Sequence, residues 1–152
     1  MTKQSRHSLF WCISSTVAVA VSVAVAGCDS GRPATYPVEG KVVFPDGTPL
    51  TGGMVEFEFV GGEGNPLNAR GRIEEDGTFC LSTFEAGDGA LAGEHRAIVR
   101  PPAPDYSPRK SGPLPKRIID PRFERYGTSD LRFTVKEGKN DFITIQVARP
   151  GS

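Results

Sequence analysis

Residues 37–148 read as an all-β domain, a sandwich of seven short antiparallel strands, set behind a leader that ends at Cys28. Three observations predict it. Short segments of alternating apolar and polar residues recur between clusters of Gly, Pro, Asp and Asn. No long 3.6-residue periodicity appears after Cys28. Glycine and proline, 18 and 13 of 152 residues, are frequent enough for many turns and too few for disorder.

The first strand is expected over Val38 to Phe44, where Val38, Val42 and Phe44 share a parity with Gly40 between them. Pro45-Asp46-Gly47-Thr48-Pro49 is turn chemistry. Met54 to Val60 alternates cleanly, with Val55, Phe57 and Phe59 on one face and Glu56 and Glu58 on the other. Ala69 to Glu74 follows, with Arg70 and Arg72 opposite Gly71 and Ile73. Asp76-Gly77 should close a hairpin onto Thr78 to Thr83, with Phe79 and Leu81 inward and Cys80 outward. Glu94 to Arg100 sets His95, Ala97 and Val99 on one side. Prolines at 101, 102, 104, 108, 113 and 115 cannot lie inside a sheet, so this stretch is a crossing loop. Ile118, Ile119, Phe123 and Tyr126 are expected to fold back as a short irregular or helical segment. Leu131, Phe133 and Val135 form the next inward set, and Ile143, Ile145 and Val147 the last, within Phe142 to Val147.

The first 27 residues have a different character. Lys3 and Arg6 precede an apolar run, Val17 to Ala26, broken only by Ser22 and extended backwards by Leu9 to Ile13. That is the length and polarity of a secretory leader. An uncleaved spanning helix is the competing reading, but it wants ~20 mostly apolar residues, and Ser14, Ser15 and Thr16 interrupt the run. Val25-Ala26-Gly27-Cys28 resembles the lipobox of bacterial lipoproteins. The resemblance implies cleavage before Cys28 and acylation of that residue, so the chain would be tied to membrane lipid. It implies a cell-membrane or outer-membrane location, facing the periplasm or exterior. The expected organisation is a signal peptide over 1–27, a tether over 28–36, the domain over 37–148 and a tail over 149–152.

Charge narrows the partners. The chain has 18 basic and 18 acidic residues, and the leader holds two of the basic ones. The remainder is slightly acidic, which argues against a nucleic-acid binder. Cys12 lies in the leader and Cys28 at its end, so Cys80 is left alone and no intrachain disulfide is expected in the domain.

Val38-Glu39-Gly40-Lys41-Val42, Gly53-Met54-Val55-Glu56-Phe57 and Asp76-Gly77-Thr78-Phe79 resemble a carboxypeptidase-regulatory-like, transthyretin-like domain. Gly87-Asp88-Gly89-Ala90, Gly93-Glu94-His95-Arg96, Pro115-Lys116-Arg117 and Val135-Lys136-Glu137-Gly138-Lys139-Asn140 are similar to its middle and end. With the lipobox, the chain looks like the small lipoproteins abundant in planctomycete-type bacteria. The resemblance covers most of residues 20–148. It implies a prealbumin/Ig-like seven-stranded sandwich with no established catalytic role. A related fold includes a transthyretin-like hydrolase of hydroxyisourate that uses several histidines. Here His95 is the one histidine outside the leader, and Arg149-Pro150-Gly151-Ser152 only echoes that enzyme's ending.

Candidate chemistry is sparse. His95 has no evident nucleophile or orienting partner and reads as a packed histidine at a strand start. One histidine and one unanchored cysteine cannot make a zinc site. Glu85 and Asp88 could offer oxygens to calcium, but the ligand count is missing and the loop reads as a glycine turn, so no metal and no cofactor are expected. Arg109, Lys110, Lys116, Arg117, Arg122 and Arg125 make a basic stretch that reads as a solvated loop or as a contact with an anionic surface. Tyr36, Phe84, Tyr106 and Tyr126 are weak candidates for stacking a sugar; the only Trp, Trp11, lies in the leader. The expectation is a non-enzymatic, lipid-anchored envelope module with a structural or protein-interaction role. The alternative is a glycan- or peptide-binding lipoprotein using loops 84–92 and 101–126.

Overall fold

Alternation in the sequence becomes strands close to where it is expected. The computed structural model describes residues 31–62, 67–103 and 116–151. Its strands are β1 (Thr35–Tyr36), β2 (Glu39–Val43), β3 (Met54–Phe59), β4 (Asn68–Arg72), β5 (Thr78–Cys80), β6 (Ala90–Leu91), β7 (Gly93–Arg100), β8 (Arg132–Val135) and β9 (Ile143–Gln146). The fold is an all-β sandwich with β5-β2-β9 as one sheet, β4-β3-β7-β8 as the other, and β1-β6 as a two-stranded ribbon. Leader residues 1–27 and Cys28 lie outside the described residues. No helix among the described residues is long and apolar enough to cross a membrane.

The core lies between the sheets, built from the inward parity of each strand. Val38, Val42, Val55, Phe57, Leu81, Ala97, Val99 and Ile145 are fully buried. Phe57 stacks on Phe133 with centroids 5.1 Å apart and also meets Phe79 at 6.5 Å. Gly40 stands where a side chain has no room, because a Cβ there would run into the Ile143 carbonyl and the Phe79 ring. The apolar parity of β2 therefore carries a glycine at the point where β9 and Phe79 both close on it.

Several features depart from the expected pattern. Nine strands are present among the described residues rather than seven, because Thr35–Tyr36 pairs antiparallel with Ala90–Leu91. The end of the expected tether is thus already part of the fold. The sandwich is not wholly antiparallel: β9 runs parallel to β2, with Gly40 opposite Ile143 and Val43 opposite Gln146. The chain leaves β8 in one sheet and crosses to the other, which sets the direction of β9. The turn at Asp76-Gly77 forms, with the Glu74 and Gly77 amides bonded to the Thr78 and Glu74 carbonyls. Its arms then part: β4 pairs with β3 and β5 with β2, and only the Arg70–Ser82 bridge rejoins them. The turn is a corner between sheets rather than a continuous hairpin.

The fold-back segment is a 3-10 helix, Pro121–Glu124. Pro121 opens it, and the Asp120 carboxylate accepts from the Arg122 amide at 2.9 Å, satisfying a donor that a helix start leaves free. Ile119 and Phe123 enter the core, whereas Ile118 is exposed.

Strand directions give the sandwich two ends. At the proximal end Pro37 leads into β2, the turn 136–142 joins β8 to β9, and Gly93 begins β7. At the distal end Phe44 leaves β2, Arg100 ends β7, and Asp120 donates its amide to the Ala148 carbonyl beyond β9.

Candidate functional site

The proximal end carries an open depression of about 710 Å³, lined by Tyr36, Pro37, Glu39, Gly138, Lys139, Asn140, Asp141 and Phe142. Asn140 builds its rim. The Asn140 side chain accepts from the Lys136 amide at 2.7 Å and donates to the Lys136 carbonyl at 3.1 Å and the Pro37 carbonyl at 3.2 Å. Gly138, at φ 85°, supplies the left-handed residue that the turn needs. Lys136 pairs with Asp141 at 3.2 Å in the open. Phe142 stands 58% exposed at the edge of the depression.

Loop 84–92 leaves the same end and is organised from within. The Asp88 carboxylate accepts from the amides of Thr83 at 2.6 Å, Phe84 at 2.9 Å and Glu85 at 3.1 Å. Desolvation disfavours the charged form, but these three amides together with the Thr35 hydroxyl outweigh it and hold the Asp88 carboxyl below the usual range. Ser82 Oγ accepts from the Gly87 amide, and Thr83 Oγ1 donates to the Gly89 carbonyl. Gly89, at φ 87°, lets the loop pass against the Tyr36 carbonyl. The oxygens that the sequence offers to calcium are thus occupied at Asp88 by the loop's own backbone. No group of three metal-ligating side chains occurs among the described residues.

His95 is buried, 1% exposed. Its ring lies between Phe57 and Phe59, with centroids 6.0 and 5.4 Å away, and its Nδ1 is 3.1 Å from the Gly93 carbonyl. Burial lowers its pKa, against the Gly93 contact, so the imidazole is neutral and bound into the core edge. Cys80 is exposed, as its outward parity requires. Desolvation of the sulfur, then the Glu39 carboxylate beside it, push its thiol pKa up.

The sequence pattern misses one cluster. Glu56 belongs to the outward parity of β3, yet its side chain is only 7% exposed. Asn68 Nδ2 donates to it at 2.7 Å, and Arg70 and Arg100 lie 3.5 and 3.7 Å away. Register explains the meeting: Arg70 on β4 and Ile98 on β7 flank Glu56, and Asn68 and Arg96 flank Glu58. Arg96 pairs closely with Glu58, and its guanidinium sits 5.7 Å from the centre of the Tyr126 ring. Burial, with the Glu56 and Glu58 carboxylates nearby, pushes the Tyr126 phenol far above its usual range. Tyr126 Oη, Asn68 Oδ1 and Arg96 Nε are buried without a partner of hydrogen-bonding geometry. The cluster binds segment 116–130 over the sheet. A matching signal exists in the sequence only as Glu56 and Glu58 on β3 facing Arg70 on β4 and Arg96 and Arg100 on β7.

The basic stretch is only partly gathered. Arg109, Lys110 and Tyr106 lie outside the described residues. Arg117 pairs with Glu124 at 3.2 Å, Arg122 lies 4.7 Å over Phe123, and Lys116 and Arg125 are exposed. The described parts of loops 84–92 and 101–126 leave β7 at opposite ends, so they do not frame one site. The described aromatic candidates do not converge either: Tyr36 lines the proximal depression, Arg32 lies 5.4 Å over the Phe84 ring, and Tyr126 lies on the outer face of the four-stranded sheet.

No family model matches the chain, and neither a curated protein nor a solved structure does, so the likeness to the carboxypeptidase-regulatory-like family rests on the sequence motifs alone.

Proposed function

We propose that this chain is a lipid-anchored, non-enzymatic β-sandwich module of the cell envelope, with a structural or protein-interaction role. The domain would be of the carboxypeptidase-regulatory-like type. Val25-Ala26-Gly27-Cys28 supports the anchoring, through a thioether from Cys28 to lipid. Each buried acyl methylene contributes ~0.8 kcal/mol, and two or more chains hold a protein stably. One observation supports the non-enzymatic reading: the single histidine of the domain is closed into the core between Phe57 and Phe59, where its ring is spent on packing.

Fractionation tests the anchor. Wild-type protein should stay in washed membranes, and Cys28→Ser protein should leave them or keep its leader. Unchanged retention of Cys28→Ser at normal mass would refute lipid attachment. Crosslinking in intact envelopes then identifies the partner. Binding on a glycan array by the released form would replace the structural role with a carbohydrate-binding one.

A further inference from the structure

We propose that the proximal end of the sandwich is the face laid against the lipid bilayer, touching it through Phe142, Val60 and Leu67. This rests on the lipid anchoring at Cys28 proposed above. The linker is short. Thr35 is already fixed to Leu91 in the β1–β6 ribbon, so the stretch from Cys28 to Thr35 reaches at most roughly 25 Å. The chain joins the domain at the proximal end, where Pro37 accepts from Asn140 of the turn 136–142. The distal end lies beyond it by the length of β2.

Apolar exposure is concentrated at the same end. The exposed large hydrophobics among the described residues are Met54, Val60, Leu67, Ile118 and Phe142, and three of these five are proximal. Val60 and Leu67 are placed there by the bonds from the Val60 amide to the Glu94 carbonyl and from the Phe59 amide to the Leu67 carbonyl. Phe142 reaches out just before β9 begins beside Gly40. An aromatic ring with an apolar pair, flanked by the long stems of Lys136 and Lys139, suits the headgroup boundary. Glu137 and Asp141 offset the two lysines within the turn, and Glu39 and Glu85 at the same end add no positive charge, so the contact is apolar rather than an attraction to anionic lipid. The segment at Asp120 lies at the distal end, so Ile118 beside it would face away from the bilayer.

Tryptophan depth probes test this. Trp11 is in the leader, so the processed protein offers no competing signal. Phe142→Trp and Ile118→Trp replace exposed residues at opposite ends. The full chain, processed in cells and purified, is reconstituted into phosphatidylcholine vesicles with brominated acyl chains, and acylation of Cys28 is read by mass. Acylated Phe142→Trp should show blue-shifted emission and strong quenching by the brominated lipid, and Ile118→Trp neither. Quenching at 118 and not at 142, or at neither, in acylated protein would overturn the inference and leave the anchor standing. Protein without acyl chains at Cys28 would overturn the anchor and this face together.

Discussion

Replacing Asp88 isolates what one carboxylate does for the proximal loops. Its two oxygens accept three backbone amides, from Thr83, Phe84 and Glu85. A bond to a charged acceptor contributes ~1.5–3 kcal/mol, but the loop is solvated and freed amides can turn to water. Loss of a helix cap, the nearest analogue, costs ~0.5–2 kcal/mol. Asp88→Ala should therefore destabilise the domain by about 2 kcal/mol, which lowers a urea midpoint by about 1 M. Far-UV circular dichroism through a urea titration reads it. The pH dependence has a fixed sign. The Asp88 carboxyl is held below its unfolded value, so its contribution is full above about pH 4 and fades as pH falls through the folded value. The gap between wild type and Asp88→Asn, which keeps one acceptor oxygen, should be widest near neutrality and close in acid. A neutral Asp88→Ala, or a gap that grows as pH falls, would refute the assignment.

Two further outcomes follow from the same geometry. Gly40→Ala forces a methyl into the Ile143 carbonyl and the Phe79 ring, and should cost about 1–3 kcal/mol and roughly 5–10 °C in Tm by calorimetry. An unchanged Tm would mean that β9 does not close on β2 as described. Cys80 should alkylate with iodoacetamide near pH 7 more slowly than free cysteine, and Glu39→Gln should speed it, because the Glu39 carboxylate is one cause of the raised thiol pKa; a rate indifferent to Glu39 would dismiss that cause.

Much of this fold was legible because β-strand burial alternates with a period of two. Val55 and Phe57, Phe79 and Leu81, Ala97 and Val99, and Ile145 and Val147 all went inward from parity alone. The same rule marked Glu56 as solvent-facing, and there it falls short. Parity fixes which face of a sheet a residue occupies, not what later covers that face. Arg70, Arg100 and Tyr126 come from three separate stretches, and their meeting over Glu56 depends on register that no local pattern encodes. Thr35–Tyr36 and Ala90–Leu91 are too short to show any period. The direction of β9 depends on where the turn 136–142 carries the chain, and a strand's sequence reads alike in either direction. That the described parts of loops 84–92 and 101–126 leave β7 at opposite ends has the same origin, since loops are assigned to ends only once β7 is known to run between them.

The parallel partnership of β2 and β9 also sets a schedule. Gly40 waits for Ile143, so the central strand of its sheet lacks a neighbour until residues about a hundred positions further on are available. Contacts so distant in sequence form late and slowly. For a polypeptide that must thread across a membrane before it is anchored, as proposed for this one, the delay is useful. If this chain is threaded in that way, β2 would stay without its second neighbour until β9 had followed it across.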